Sequence, residues 1–338
     1  MENYKIIERI GEGTHGQVVK ALHRPTSKIV ALKCVNSMDK TTKNVLREIE
    51  SLRACNSDYI ITLTEHFCHC FSTYLVLEYM VSGLSEMLLD ESIILNESHL
   101  KSYARMLLNG TAHIHSLKII HRDLKPSNLL ISSNGILKIA DFSLSRSLLV
   151  SENENSKKNC YTNQVATRRY RAPELLFGST NYNQSIDMWS VGCIIAEMFT
   201  KTPLFPGDTD LEQIAMVVHY LGTPNNNTWP NRNEMPDFNK LKFTQCSPIP
   251  MKHLLPDINK NLVNLIESLI MYDSYKRLDA SEALKHSYFF NDPLPCLIHK
   301  MPVPPQHQRL MSLSNNPLLL GSVEQNFKSI YRILQELS

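Results

Sequence analysis

Eight consecutive residues constrain this chain more than any other stretch: His121-Arg122-Asp123-Leu124-Lys125-Pro126-Ser127-Asn128. They hold a carboxylate, a cation and a carboxamide at fixed short spacing. Transfer of a phosphoryl group asks for those three groups in one loop. Asp123 can accept a hydrogen bond from an attacking hydroxyl, Lys125 can neutralise a terminal phosphate, and Asn128 can hold a magnesium ion. Several positions must match at once, so the string is specific by itself. Its companions, in a set order along the chain, decide the fold.

The first companion is Gly11-Glu12-Gly13-Thr14-His15-Gly16-Gln17-Val18, with the spacing G-x-G-x-x-G-x-V. Glycines let a backbone fold down over phosphates where side chains would obstruct it. Alone this is a weak signal, because dinucleotide-binding folds carry a similar string. Here Val18 to His23 reads as a strand leaving a hairpin. No strand–helix–strand unit follows within about thirty residues, so the dinucleotide reading fails.

Val30-Ala31-Leu32-Lys33 comes next. Alternation puts Ala31 and Lys33 on one face of a strand. Val45, Ile49 and Leu52 recur at helical spacing, and Glu48 flanks that stripe where it can pair with Lys33. A lone lysine or glutamate is usually a solvated surface charge. The motif positions of these two favour an ion pair. Asp141-Phe142-Ser143 occupies the place of a D-F-G element, whose Asp would be a second metal ligand and whose Phe would pack under the helix carrying Glu48. Ala172-Pro173-Glu174 and Asp187-Met188-Trp189-Ser190-Val191-Gly192 follow, and Arg277 is placed to form a buried pair with Glu174.

Taken together, these motifs resemble those of a eukaryotic protein kinase over about residues 4 to 290. The resemblance implies an α+β, bilobal fold. Residues 4–79 would be a small β-rich lobe with one helix, and 80–290 a larger helical lobe, as the pattern Leu100-Lys101-Ser102-Tyr103-Ala104-Arg105-Met106-Leu107-Leu108 suggests. Residues 291–338 form a tail, proline-rich from Pro293 to Pro305, with Phe327, Ile330, Tyr331, Leu334 and Leu337 at helical spacing. ATP and Mg2+ are the implied cofactors. Asp123, Lys125, Lys33 and Glu48 would be catalytic, and Asn128 with Asp141 would bind the metal. ATP would be held by Ile10, the glycine loop through Val18, Ala31, Lys33 and Leu130. It would also meet Leu77, Glu78 and Met80 of Tyr74-Leu75-Val76-Leu77-Glu78-Tyr79-Met80, which resembles a last strand and hinge. Leu77 would be the gatekeeper.

Composition narrows the partners. A chain of 338 residues accommodates two domains or one bilobal one, and 43% hydrophobic with 20% charged residues is ordinary for a globular enzyme. A net charge of +2 makes no electrostatic case for nucleic acid or an anionic membrane. Eight cysteines are scattered without a secreted-domain framework, which points to a reducing intracellular compartment. Neither a signal peptide nor a membrane-length apolar run is present. Cys68-His69-Cys70 reads as strand or turn thiols, since zinc wants four ligands.

The segment Tyr161-Thr162-Asn163-Gln164-Val165-Ala166-Thr167-Arg168-Arg169-Tyr170-Arg171 resembles the activation loop of the cyclin-dependent kinase group. Leu221-Gly222-Thr223-Pro224 with Trp229-Pro230 is similar to that group's insert; Gly11-Glu12-Gly13 with His15, Gln164 to Arg168, and Trp189 to Cys193 with Pro203-Leu204-Phe205-Pro206-Gly207 resemble its cell-cycle-related branch. The resemblance implies a Ser/Thr kinase, with Thr162 an activating phosphosite read by Arg47, Arg122 and Arg146. Arg171 would shape a substrate pocket for Ser-Pro or Thr-Pro sites. Protein substrates, a cyclin or other activator and an upstream kinase are the implied partners. A nuclear, cytoplasmic or ciliary location and a cell-cycle or ciliary role are implied as well.

Several positions depart from the group. Ser143 stands where glycine is usual, and a serine there is expected to adopt glycine-type angles at some cost. Gly83 replaces an acidic ribose ligand, His15 an inhibitory tyrosine, and Arg169 an aromatic residue. Thr42 to Glu48 keeps Arg47-Glu48 but not the full cyclin-binding heptad. Ser143 and Gly83 would support an inactive scaffold of the same fold. The intact set Lys33, Glu48, Asp123, Asn128 and Asp141 argues for turnover.

Overall fold

Ile6-Ile7, Val18-Val19 and Ile29-Val30 supply the β-branched residues that pack well on a pleated surface, and strands form at each. The computed structural model describes residues 1–13, 16–36, 39–70, 72–148, 166–255 and 258–303. The chain divides into two compact units. Of the described residues, Met1–His121, Pro126–Leu148 and 293–303 make the first; Arg122–Lys125 and 166–292 make the second.

In the first unit β1 (Tyr4–Gly13), β2 (Gly16–His23), β3 (Lys28–Asn36), β4 (Leu63–His69) and β5 (Ser72–Glu78) form an antiparallel sheet. Its order is β1-β2-β3-β5-β4. Register pairs Val18 with Lys33 and Lys20 with Ala31, then Ala31 with Leu77. One face buries Tyr4, Ala21, Val30, Leu32 and Val76, closed by Val19 and Phe67. Alternation therefore gives the other face Val18, Ala31, Lys33 and Leu77. Helix α1 (Asp39–Ala54) buries Val45, Ile49 and Leu52, the stripe read from the sequence.

Beyond the sheet come β6 (Ser82–Gly83), α2 (Leu84–Leu89), α3 (Glu97–Ser116) and β7 (Ile119–Ile120). Then follow β8 (Leu129–Ile131), β9 (Leu137–Ile139) and β10 (Arg146–Ser147). The helical pattern of this region does not show these strands, because two or three residues are too few to display a period. The amide of Ile139 donates to the Tyr59 carbonyl at 2.8 Å and its carbonyl accepts from Ile61 at 2.9 Å. Gly110 of α3 lies so close that a Cβ there would meet Ile139 and the Tyr59 carbonyl at 2.9 Å. These contacts carry α3 and the short strands into the first unit. The segment after Pro293 joins them: buried Lys101 donates to the Pro293 carbonyl at 2.7 Å, and Ser98 to Leu294 at 2.6 Å. The expected helix over 323–337 lies outside the described residues.

The second unit is built on α4 (Pro173–Leu176), α5 (Ser185–Thr200), α6 (Asp210–Leu221), α7 (Met251–Leu254), α8 (Lys260–Leu269) and α9 (Ala280–Ala283). α5 is buried on every side from Ile186 to Ala196, the pattern of a central helix. Trp189 of α5 stacks on Phe205 at 5.6 Å, with the Arg277 guanidinium 5.2 Å over its ring. Arg277 also donates two bonds of 2.7 Å to Glu174, both groups being buried. Trp229 of the insert packs on Phe177, Phe238 and Tyr272. Among the described residues no helix is long and apolar enough to cross a membrane.

A buried ion pair broken from one side leaves its partner charged and desolvated. Arg277→Ala is therefore expected to cost about 3–5 kcal/mol, read as a lower denaturant midpoint, whereas Glu174→Gln/Arg277→Met together cost less than either single change.

Candidate active site

In the first unit, β3 presents Lys33 and α1 presents Glu48. The Lys33 Nζ donates to Glu48 Oε1 and to Asp141 Oδ1, each at 2.7 Å. Burial opposes the charge on Lys33, but the two carboxylates outweigh it and the net effect raises its pKa. Asp141 itself stands in the left-handed region, φ 62°. After it the chain makes a tight turn over Phe142–Leu144. Phe142 is buried edge-on against His121, with ring centroids 4.9 Å apart. Ser145 Oγ donates to the Phe142 carbonyl at 2.7 Å and shares a 2.8 Å bond with Ser51 of α1. The helix bearing Glu48 is thereby tied to the segment bearing Asp141.

Ser143 corrects the sequence reading. It lies inside the tight turn with ordinary backbone angles, so the strained residue is Asp141, two positions earlier. What serine costs here is a different thing: its buried hydroxyl has no hydrogen-bond partner among the described residues.

Asn128 ends a turn over Pro126–Asn128, and its carbonyl accepts from the Ala140 amide at 2.9 Å. That bond draws Asn128 beside the residue preceding Asp141. Their side chains offer oxygen donors of the hard type that suits Mg2+, so the pair fits that ion. Gly16 has φ 126°, and a Cβ there would collide with the Cys34 carbonyl. In the expected hinge the Glu78 carboxylate accepts from the Thr62 amide and from Lys138, both at 2.7 Å. The Glu78 amide donates to the Thr62 carbonyl at 3.1 Å. Leu130 pairs with Gly83 across β8 and β6. A Cβ at Gly83 would meet nothing closer than 3.7 Å, so the missing acidic side chain is not excluded by space.

In the second unit, Arg122 adopts φ 69° and its amide donates to Asp187 of α5 at 2.9 Å. A rigid central helix therefore sets the start of the loop. Asp123 Oδ1 accepts from the Thr167 amide at 2.9 Å and hydroxyl at 2.8 Å. Lys125 donates to Asp123 Oδ2 at 2.8 Å and to the Thr167 hydroxyl at 2.9 Å. Arg171 Nη2 donates to the carbonyl of Ala166 at 3.0 Å, and Ala166 stands at φ 66°. Arg169, the replaced aromatic, pairs with Asp208 at 3.0 Å. Tyr170 donates to Glu197 at 2.6 Å.

The chain matches the protein kinase domain family over residues 4–289. Cyclin-dependent kinase 20 of Danio rerio is 46% identical over 308 residues, spanning 90% of this chain and 88% of that one. The chain belongs to the protein kinases, within their cyclin-dependent group. Cyclin-dependent kinase 7 of Xenopus laevis is 37% identical, covering 90% of this kinase and 86% of the relative. The crystal structure of the yeast RNA Pol II CTD kinase complex superposes with a TM-score of 0.80 at 35% identity, over 88% of this kinase and 96% of that chain. The fold expected from the motifs and the Ser/Thr kinase class both hold.

Of the sites read from the sequence, Thr14, His15, Tyr161 and Thr162 lie outside the described residues. Arg122 is buried and donates to Tyr182 at 2.8 Å, while Arg47 and Arg146 are half-buried in the first unit. Sequence reading did not single out Ser51, Ser145, Lys138, Glu197, Asp208 or Asp210. Nothing in their spacing names a partner, although the two aspartates directly follow the Pro203–Gly207 motif.

Burial pushes the Glu197 carboxyl up to about 7, against the opposing pull of Tyr170 and Arg169. A carboxyl raised on folding contributes stability below its ordinary value of 4.5 and loses it as the pH climbs to about 7. Glu197→Gln keeps an acceptor for Tyr170 without the titration. Unfolding midpoints measured at pH 5 and pH 8 are expected to fall less in the variant, by on the order of 3 kcal/mol.

Proposed function

We propose that this kinase moves the γ-phosphoryl group of ATP to serine or threonine hydroxyls that are followed by proline. The observation that carries the reading is the set of bonds joining Asp123, Lys125 and Thr167, together with the Arg171 bond to the Ala166 carbonyl. Asp123 is oriented on one oxygen by Thr167 and on the other by Lys125, so it presents a fixed acceptor to a substrate hydroxyl. Lys125 would steady the transferred phosphoryl, and Lys33, set by Glu48, would hold the inner phosphates. Asn128 and Asp141 would hold magnesium, which when bound neutralises charge on the phosphates. Catalysis of this kind rests on placement and charge, so each group must keep its position.

Proline selectivity follows from Ala166. Its carbonyl is taken by Arg171 and offers nothing to a peptide amide beyond the reacting residue. Any residue but proline would bring an N–H that goes unpaired. Incorporation of labelled phosphate into peptides is the test. Asp123→Asn and Asp141→Asn are each expected to lose about 100-fold or more of the rate. Turnover untouched by both would end the kinase mechanism.

Regulation belongs to the same proposal. A phosphate on Thr162 would accept bidentate bonds from Arg47, Arg122 and Arg146 and link α1, the catalytic loop and the activation segment. Thr162→Ala is expected to lower activity on the order of tenfold, with the corresponding phosphopeptide absent from maps of the active enzyme. A cyclin or another activating protein fits a chain whose relatives are named for that dependence. A cell-cycle or ciliary role, in nucleus, cytoplasm or cilium, extends the same reading.

A further inference from the structure

Asp210 opens α6, and its Oδ1 accepts from two arginines at once: Arg168 Nε at 2.7 Å and Arg171 Nη1 at 3.1 Å. Arg171 divides its guanidinium between this carboxylate and the Ala166 carbonyl, while its Nε has no partner among the described residues. Among the described residues Asp210 is the side chain to which it donates. The anchor is stiff, because Thr209 caps the helix by accepting from the Glu212 amide at 3.1 Å while Glu212 accepts from the Thr209 amide at 3.0 Å. Behind them, buried Gln213 accepts from the Gly207 amide at 3.0 Å. Arg168 also donates to the Asp208 carbonyl, which crosslinks the activation segment to the turn before α6.

We propose that Asp210 is the positioning residue of the substrate pocket: by holding Arg171, with Arg168 bracing it, Asp210 keeps the Ala166 carbonyl occupied and so sets selectivity for proline. The inference rests on the proline-directed reading above. Without Asp210, Arg171 has two rotatable donors and one fixed acceptor, and the carbonyl at Ala166 becomes open to a peptide amide. A peptide with alanine after the target residue then gains a bond that proline cannot make. Asp208 is the natural control. It pairs with Arg169, and Arg168 uses only its backbone carbonyl, which a side-chain change leaves in place.

The experiment measures kcat and KM for two peptides, differing only by proline or alanine after the acceptor serine, using the full chain. For Asp210→Asn and Asp210→Ala the proline-to-alanine ratio of kcat/KM is expected to fall about fivefold, the scale of a partly exposed charged bond. The change falls in peptide KM, with the KM for ATP unmoved. Asp210→Glu retains more of the ratio than Asp210→Asn, and Asp208→Asn keeps the wild-type ratio. A merely structural role for Asp210 would lower the melting temperature and both rates together without moving the ratio. An unmoved ratio in the Asp210 variants, or an equal fall in Asp208→Asn, overturns the assignment while the proline-directed reading stands. Equal rates on the two peptides in the wild-type chain overturn that reading, and this assignment with it.

Discussion

A lysine ammonium cannot be taken out of water without partners, and Lys33 is buried with a carboxylate on each side, Glu48 and Asp141, both at 2.7 Å. Those three residues come from β3, from α1 and from the chain beyond β9. The need to pair one buried charge therefore sets where the helix lies on the sheet and where the Asp141 segment returns to it. Supporting contacts run the same way. Ser51 meets Ser145, and Phe142 is buried against His121, so the helix and the segment are joined by a hydrogen bond as well as by the shared lysine. Asp141 keeps a left-handed backbone within this frame, a conformation that costs energy and persists where surrounding contacts over-determine it.

The second unit solves a parallel problem around carboxylates. Asp187 reaches from the central helix to the amide of Arg122, itself at positive φ, and Asp123 is oriented by bonds from Thr167 and Lys125. Thr167 belongs to the segment that also supplies Ala166, Arg168, Arg169 and Arg171. The threonine that orients Asp123 and the arginine that bonds the Ala166 carbonyl thus share one short run of backbone. Glu174 and Arg277 fix the far end of that run by a bidentate pair over Trp189. Arg169, which departs from the family pattern, is matched by Asp208, and its neighbour Arg168 by Asp210. Substitution of an aromatic by a cation is accommodated here because an anion waits opposite it.

Much of the site was legible because phosphoryl transfer needs particular residue types at short, fixed spacings. His121 to Asn128, Asp141 and the pair Lys33 and Glu48 announce themselves on that ground, and the helical stripe Val45, Ile49, Leu52 located α1. Ser143 shows the boundary of such reading. A residue out of pattern was visible, but its cost was assigned to backbone angles, whereas the turn leaves those ordinary and buries an unpaired hydroxyl instead. Identity at a position does not reveal which dihedral the neighbouring turn will demand.

Local chemistry written in the sequence determined the family and marked the candidate carboxylates and the glycine loop, since each depends on residues close together in the chain. Which groups meet across long separations was decided by the fold. Lys101 finds the carbonyl of Pro293, Lys138 finds Glu78, and Asp210 gathers Arg168 and Arg171. Periodicity says which face of an element is buried, but hydrogen bonds have direction and a reach of about 3 Å. Only packed backbones bring donor and acceptor within it.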